Sequence, residues 1–426
     1  MNKFLFFSTA LLVSQSYALP VCKNLFLQTP AVSAMVHIDA TKQWLEWEQK
    51  SNFITFRKSS IPFFVPQLSV DRSAVFLAIS ADLPKNLYTL IRPETGTINW
   101  FKHPYNQSPQ VPYFEKTSTD SLETYQTSSR SLAVILDQNV FTLKMGTDHP
   151  HGPQGEYQPN KASTREDIND GIGRMTYISN VESKIGSDPT LILAKEVAMV
   201  ADKKTGEGYL FRDVSFMNDG NYYLPALSIP YAGREIAKIH NTDPNIFWEK
   251  HYAAALGRAK AKLLLRYGLQ METPNSQNIL IQLDVNLMPT GVLVFRDISD
   301  TVLIKSVAEG LGEKETLEAD KAHGIENSYL IKPFWQNSAW RFNEAGVNSF
   351  STNQLIQWGL FHDEAYKKEI EKELSINLRS YLSVEDNPKF NMLMNSDIIK
   401  ARLLNYRKIL SQKHSQKPLQ RVSDLQ

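Results

Sequence analysis

The chain has 426 residues, with 46 Lys and Arg against 45 Asp and Glu, a net charge of +1, and 42% hydrophobic residues. This near-neutral balance gives no electrostatic case for nucleic acid or an anionic membrane surface, and the length allows one large or two ordinary domains. Cys22 is the only cysteine, which excludes an internal disulfide.

Residues 1–18 read as a signal peptide. Lys3 supplies a minimal positive region, FLFFSTALLV an apolar one, and Ser16-Tyr17-Ala18 the small residues a signal peptidase reads. An exported protein, periplasmic or secreted, is the expectation. The run is too short to span a membrane, and no other apolar stretch is long enough. Val21 makes the site before Cys22 a poor one for lipidation.

Residues 19–130 read as an N-terminal α+β domain, with short apolar runs such as AVFLAIS (74–80) and LYTLI (87–91). The Ser/Thr-rich piece KTSTDSLETYQTSSR (116–130) reads as a linker or a surface loop.

From 131 to 308 the character is that of a core domain. SLAVILDQNVFTLKM predicts a hairpin turning at Asp137-Gln138-Asn139, with Lys144 near the end of its second strand. A polar loop follows, carrying His149, His151, Ser163, Thr164 and Arg165. A hydroxyl pair and a guanidinium at a loop-to-helix junction suit phosphates, through charge-assisted bonds and helix N-terminal amides. The same tripeptide also reads as a plain helix cap, with Glu166 and Asp167 in the first turn. His149 and His151 lack a third partner on their loop, a poor case for zinc, and a phosphate contact by one of them is the expectation. LILAKE (191–196) reads as a buried strand, and Arg212 as a strand-end residue. The basic side chains of the next helix, Lys250, Arg258, Lys260, Lys262 and Arg266, read as a solvated face.

That helix stops at Gly268, suited to a C-terminal cap. Glu272 and the pair Gln277-Asn278 precede an alternating run from Ile279. A turn around Pro289-Thr290-Gly291 leads into a second run that ends on Arg296-Asp297. The pattern predicts a β-hairpin with an amide and an acid side by side at its open end. Magnesium bound to ATP takes a few hard oxygen ligands of that kind, the logic protein kinases use at a different spacing. Residues 309–426 read as a helical C-terminal lobe.

Tyr267-Gly268, Glu272, Gln277-Asn278 and Arg296-Asp297 resemble, in order, the signature of the siderophore synthetases that work independently of non-ribosomal peptide synthetases, the aerobactin-synthetase type. Lys144, Ser163-Thr164-Arg165, Gly173-Arg174 at a basic helix start, Leu210-Phe211-Arg212-Asp213 and the closing Lys400-Ala401-Arg402-Leu403-Leu404 follow the same order. The histidine that the family carries between its Glu and its Gln-Asn is absent here. The resemblance implies an α+β fold: a palm-like antiparallel sheet core flanked by helices, an N-terminal α+β domain and a helical C-terminal lobe. It implies ATP- and Mg²⁺-dependent activation of a citrate-like carboxylate as an acyl-adenylate, for condensation with an amine or alcohol. Catalysis would draw on Arg165, His149 and His151. Lys144, Ser163, Thr164, Arg165, Arg174, Arg212, Gln277 and Asn278 would bind the nucleotide, and Glu272, Asn278 and Asp297 the metal. The partners implied are small molecules, with a homodimer as one oligomeric option and the cytoplasm as the family's usual location.

The export signal and the missing histidine support two other readings. One is an exported, non-catalytic protein that binds a carboxylate or ferric siderophore. The other is a secreted effector that uses host ATP.

Overall fold

The computed structural model describes residues 33–52, 62–81, 83–94, 96–103, 114–128, 130–137, 139–146, 165–271, 276–313, 325–326, 351–378 and 387–416. The expected leader at 1–18 lies outside the described residues, among which no helix is long and apolar enough to cross a membrane.

The first half of the chain runs α1 (Ser33–Ser51), β1 (Phe63–Asp71), β2 (Val75–Ile79), α2 (Lys85–Ile91), β3 (Thr97–Phe101), β4 (Phe114–Gln126), β5 (Ser131–Leu136), β6 (Asn139–Met145), α3 (Arg165–Ile185), β7 (Leu191–Leu193), β8 (Glu196–Asp202) and β9 (Gly208–Asp213). Seven of these strands and β2 at the edge form one eight-stranded sheet in the order β2-β8-β9-β6-β5-β4-β1-β3, antiparallel at every junction. The β5–β6 hairpin turns at Asp137 as the sequence predicts, with Leu136 opposite Asn139 and a φ of 55° at Asp137, a left-handed conformation that Asp tolerates.

Side chains alternate across this sheet. Phe141, Leu143, Met145, Tyr209 and Phe211 face one way, into a core with Trp100, Phe101, Leu87 and Ile91. Thr142, Lys144, Leu210 and Arg212 face the other way, the side that α3 covers. A Cβ on Gly171 of α3 would meet Met199 of β8 at 3.2 Å.

One segment departs from the sequence reading. The Ser/Thr-rich piece expected as a linker or loop is the strand β4, in which Leu122, Thr124 and Gln126 are buried between exposed Ser121 and Glu123. Threonine tolerates a half-buried pleat, so a polar run with period two still pairs. LYTLI belongs to helix α2, where Leu87 and Ile91, one turn apart, are both buried.

The second half comprises β10 (Tyr222–Pro225), α4 (Arg234–Ile239), α5 (Pro244–Trp248), α6 (Ala254–Tyr267), β11 (Leu269–Met271), β12 (Ile279–Leu283), β13 (Pro289–Phe295), β14 (Thr301–Ile304), α7 (Lys305–Gly310), β15 (Ile325–Glu326), α8 (Thr352–Leu374), α9 (Asn387–Met394) and α10 (Asp397–Ser415). A four-stranded sheet has the order β10-β12-β13-β7, and a three-stranded one β11-β14-β15. One face of the four-stranded sheet, with Ile279, Ile281, Leu293 and Phe295, packs with Leu256, Ala259 and Leu263 of α6. Its other face, with Tyr223, Leu280 and Val294, packs with Trp44 and Leu45 of α1 and with Ala133 and Val140 of the large sheet. The two sheets therefore meet back to back, and the end of β13 is brought to the polar face of β6 and β9.

Helix α6 ends as predicted, at Gly268 with φ 66° and its amide bonded to the Leu264 carbonyl. The basic residues are solvated only in part: Lys250 and Arg258 are exposed. Lys260 and Arg266 are buried, and Lys262 bonds Thr190 at 2.6 Å and pairs with Asp188 at 3.3 Å. These partners come from remote sequence, between α3 and β7, so the helix's own pattern does not show them.

Candidate active site

The hairpin expected at 279–295 is present, with Ile279 opposite Phe295. Its turn, however, is made by 284–288, where Asp284 accepts from the amides of Asn286 and Met288 at 2.8 and 2.9 Å. Pro289-Thr290-Gly291, read as the turn, lies within β13 at a register shift, where Gly291 has φ 89°. The carboxylate of Asp284 tightens the earlier turn, and the glycine serves the bulge.

At the open end, the Arg296 amide donates to the Asn278 carbonyl at 2.8 Å. The next residue, Asp297, has φ 58°, an uncommon backbone conformation for a non-glycine residue. This corner takes the chain out of the ladder and carries the Asp297 carboxylate to the polar face of the large sheet. There Lys144 Nζ lies 3.0 Å from Asp297 Oδ1, and Arg212 bonds the same oxygen. Arg212 also donates to Glu196 Oε1 at 2.9 Å. Glu196, Arg212, Asp297 and Lys144 thus alternate in charge from interior to surface. The Glu196 side chain is 0% exposed, while Asp297 and Lys144 are 21% and 18% exposed.

Burial works to raise the Asp297 carboxyl, but Lys144 and Arg212 beside it outweigh burial and hold it well below the usual carboxylate range. Burial likewise works against the Arg212 guanidinium, and Asp297 and Glu196 more than compensate, leaving it above its ordinary value. Asp297 and Arg212 are therefore both ionised near neutral pH.

Of the residues singled out from sequence, Lys144, Arg212 and Asp297 converge here, from β6, β9 and the end of β13. Arg174 is buried within α3 rather than at a helix start, because the helix runs unbroken from Arg165, and its guanidinium donates to the Thr301 carbonyl at 3.5 Å. Gln277 points to α1, donating to Asn52 at 3.1 Å. Asn278 is buried beside Arg296. Arg165 opens α3. His149, His151, Ser163, Thr164 and Glu272 lie outside the described residues.

The sequence places Glu196 only as the end of a buried strand in the family's motif order and gives it no role in the site, although a lone carboxylate inside the apolar run LILAKEVAMV signals a buried pair. It also passed over Glu48 of α1, which holds Arg296.

Lys144 and Arg212, reachable from solvent past a partly exposed Asp297, suit a phosphoryl or carboxylate group. Asp297 and Asn278 offer hard oxygens of the kind magnesium takes. Among the described residues, though, no group of three or more His, Cys, Asp and Glu side chains is gathered as for a metal, and Asp297 is held by two cations. A metal would require those cations to move to another anion.

No protein family and no curated protein matches the sequence. Solved structures do match. ATP-bound aerobactin synthetase IucA from a hypervirulent pathotype of Klebsiella pneumoniae aligns with a TM-score of 0.53 at 13% identity, over 79% of this chain and 72% of that one. Aerobactin synthetase IucC from the same source gives 0.53 at 12%, over 79% and 65%. Petrobactin biosynthesis protein AsbB from Bacillus anthracis gives 0.50 at 12%, over 85% and 72%. The α+β fold is therefore that of the siderophore synthetases, as the motif order implies.

Proposed function

We propose that this chain, which has the fold of the siderophore synthetases, is an ATP-dependent ligase. It would activate a citrate-like carboxylate as an acyl-adenylate and condense it with an amine or alcohol. The observation that carries this reading is the Lys144–Asp297–Arg212 cluster, built where three elements of that fold meet and open to solvent on one side. The ATP named with the Klebsiella synthetase adds support.

In this reading Lys144 and Arg212 bind phosphoryl oxygens and neutralise charge that develops on them. Reactions of this type need positioning and charge neutralisation more than a protein nucleophile. Asp297, released from the two cations, would hold magnesium with Asn278 and Glu272, and the ion would neutralise further phosphate charge. Arg165 at the start of α3, and Ser163 and Thr164 just before it in sequence, would contact the same phosphates, with Arg174, His149 and His151 as further contacts.

The test is calorimetric titration of the protein with ATP, with and without Mg²⁺, beside Asp297→Asn, followed by a carboxylate screen for pyrophosphate release. Magnesium-dependent binding that the substitution abolishes, with release driven by a carboxylate, is the expected result. Absence of binding at millimolar ATP removes the ligase reading and the effector reading together. Binding without release under any carboxylate leaves a ligand-binding protein.

A further inference from the structure

Arg212 is held on two sides by the same terminal nitrogen. That nitrogen donates to Glu196 Oε1 at 2.9 Å and also to Asp297 Oδ1. The remaining atoms of the Arg212–Glu196 pair are the informative ones. Arg212 Nε and Glu196 Oε2 are both buried and both without a hydrogen-bond partner among the described residues. One is a charged donor and the other a charged acceptor. They are the two atoms that would complete a side-on fork between a guanidinium and a carboxylate, whose first bond already exists. A buried donor and acceptor left unmade are costly, so an arrangement that joins them is favoured once Arg212 is free to turn.

The asymmetry of the cluster shows what would free it. Glu196 is 0% exposed, and α3 closes over it so tightly that a Cβ on Gly171 would stand 2.5 Å from Oε2. Solvent and ligand cannot reach that side. Asp297 and Lys144, each about one-fifth exposed, form the reachable side. An incoming anion therefore competes with Asp297 and not with Glu196.

We propose that Glu196 is the positioning residue of Arg212. A phosphoryl or carboxylate group of the ligand takes the place Asp297 holds between Arg212 and Lys144. Arg212 then turns to close its second bond onto Glu196, which keeps the guanidinium aimed at the ligand. Asp297 is thereby an internal stand-in for the ligand anion, displaced on binding. This inference rests on the ligand site of the proposed function but not on its chemistry.

The experiment titrates the full chain with inorganic pyrophosphate without magnesium, and with ATP and magnesium, in the wild type, Glu196→Gln, Asp297→Asn and Arg212→Lys. Glu196→Gln keeps the shape and Oε1 but replaces the acceptor Oε2. It is expected to weaken pyrophosphate binding about tenfold, with unchanged circular dichroism of the unliganded protein. Asp297→Asn is expected to bind magnesium-free pyrophosphate at least as tightly as wild type, because the competing carboxylate is gone. In the Arg212→Lys background, Glu196→Gln is expected to add nothing, since the fork no longer exists. Should Glu196→Gln fail to fold, Gly171→Ala, which crowds Oε2, takes its place with the same expectation.

Unaltered pyrophosphate and ATP affinity in Glu196→Gln overturns the positioning role while leaving the ligase reading intact. Weaker magnesium-free binding in Asp297→Asn overturns the displacement. Absence of any pyrophosphate binding by the wild type overturns both parts. Glu196-dependent pyrophosphate binding in a protein that never releases pyrophosphate upholds the inference while the ligase reading fails.

Discussion

Arg296 and Glu48 form a buried ion pair across 248 residues of sequence, with side chains only 8% and 2% exposed. Glu48 is further held by Trp44 Nε1 at 3.1 Å and Asn52 Nδ2 at 3.0 Å, and Arg296 also donates to the Gln277 carbonyl. Asn52 in turn accepts from Gln277 at 3.1 Å. Helix α1 thus clamps both strands of the hairpin at the end where the chain turns into Asp297. The helix contributes no group to the charged cluster, yet it fixes the corner from which Asp297 reaches that cluster.

Removing one partner of this pair leaves the other charge buried. Arg296→Met is therefore expected to destabilise the protein by about 3–5 kcal/mol, whereas Glu48→Leu combined with Arg296→Met recovers much of the loss. Urea denaturation of the three proteins checks this. Equal losses in the single and double variants would show that packing, and not the unpaired charge, dominates there.

Helices α6 and α8 are in tight backbone contact at Gly257. A Cβ there would fall on the carbonyl oxygen of His362 and stand 3.0 Å from the amide nitrogen of Tyr366. Backbone cannot move aside as a side chain does. Gly257→Ala is expected to cost about 1–3 kcal/mol or more through overpacking. Gly173 in α3 is exposed with nothing within 4 Å of a Cβ, so Gly173→Ala is expected to stabilise by about 0.5–1 kcal/mol. Thermal melts of the two variants should move in opposite directions.

The same contact has a pH signature. His362 is 0% exposed, with Nδ1 2.7 Å from Asp363 Oδ1. Burial first, and then Lys260, push its pKa down to about 4 against the opposing pull of Asp363. In the unfolded chain the ring titrates near its ordinary value of about 6.5. Between those values the unfolded state binds a proton that the folded state refuses, so stability falls as pH drops from about 6.5 toward 4, by up to about 3 kcal/mol. His362→Gln is expected to flatten that limb. A limb of unchanged slope in the variant assigns it to other groups.

The parts of this architecture that the sequence discloses are local ones. Gly268 ends α6 because a left-handed cap asks for glycine, and the run from Ile279 alternates because one strand has two apolar faces to serve. Lys144, Arg212 and Asp297 stand out because each is a charge at the end of an apolar run. What escapes the sequence is set by partners far along the chain. Lys262 and Arg266 look solvated until Asp188 is laid against them. Glu48 looks like one more polar residue of α1 until Arg296 reaches it. β4 hides because a strand whose buried residues include Thr124 and Gln126 has the composition of a loop. The role of Gly171 also escapes the sequence: the missing side chain leaves the gap in α3 that Glu196 fills.

Lys144 separates a structural role from a binding role most cleanly. Its pair with Asp297 is 3.0 Å long, but both side chains are about one-fifth exposed and Asp297 keeps Arg212 when Lys144 is removed. Solvent screening at such exposure limits the pair's worth, so Lys144→Met is expected to lower stability by about 1 kcal/mol or less. A polyanionic ligand gains more from the same charge, because binding displaces water from the open side and leaves phosphoryl oxygens facing the ammonium directly. Loss of that contact is expected to weaken ATP about tenfold or more, and to reduce the salt dependence of what binding remains. Calorimetry at two ionic strengths, beside a denaturation curve, reads both quantities on one preparation. A variant as destabilised as Arg296→Met that still binds ATP at wild-type affinity would show Lys144 to be part of the scaffold, with the phosphate contacts resting on Arg212 and the start of α3.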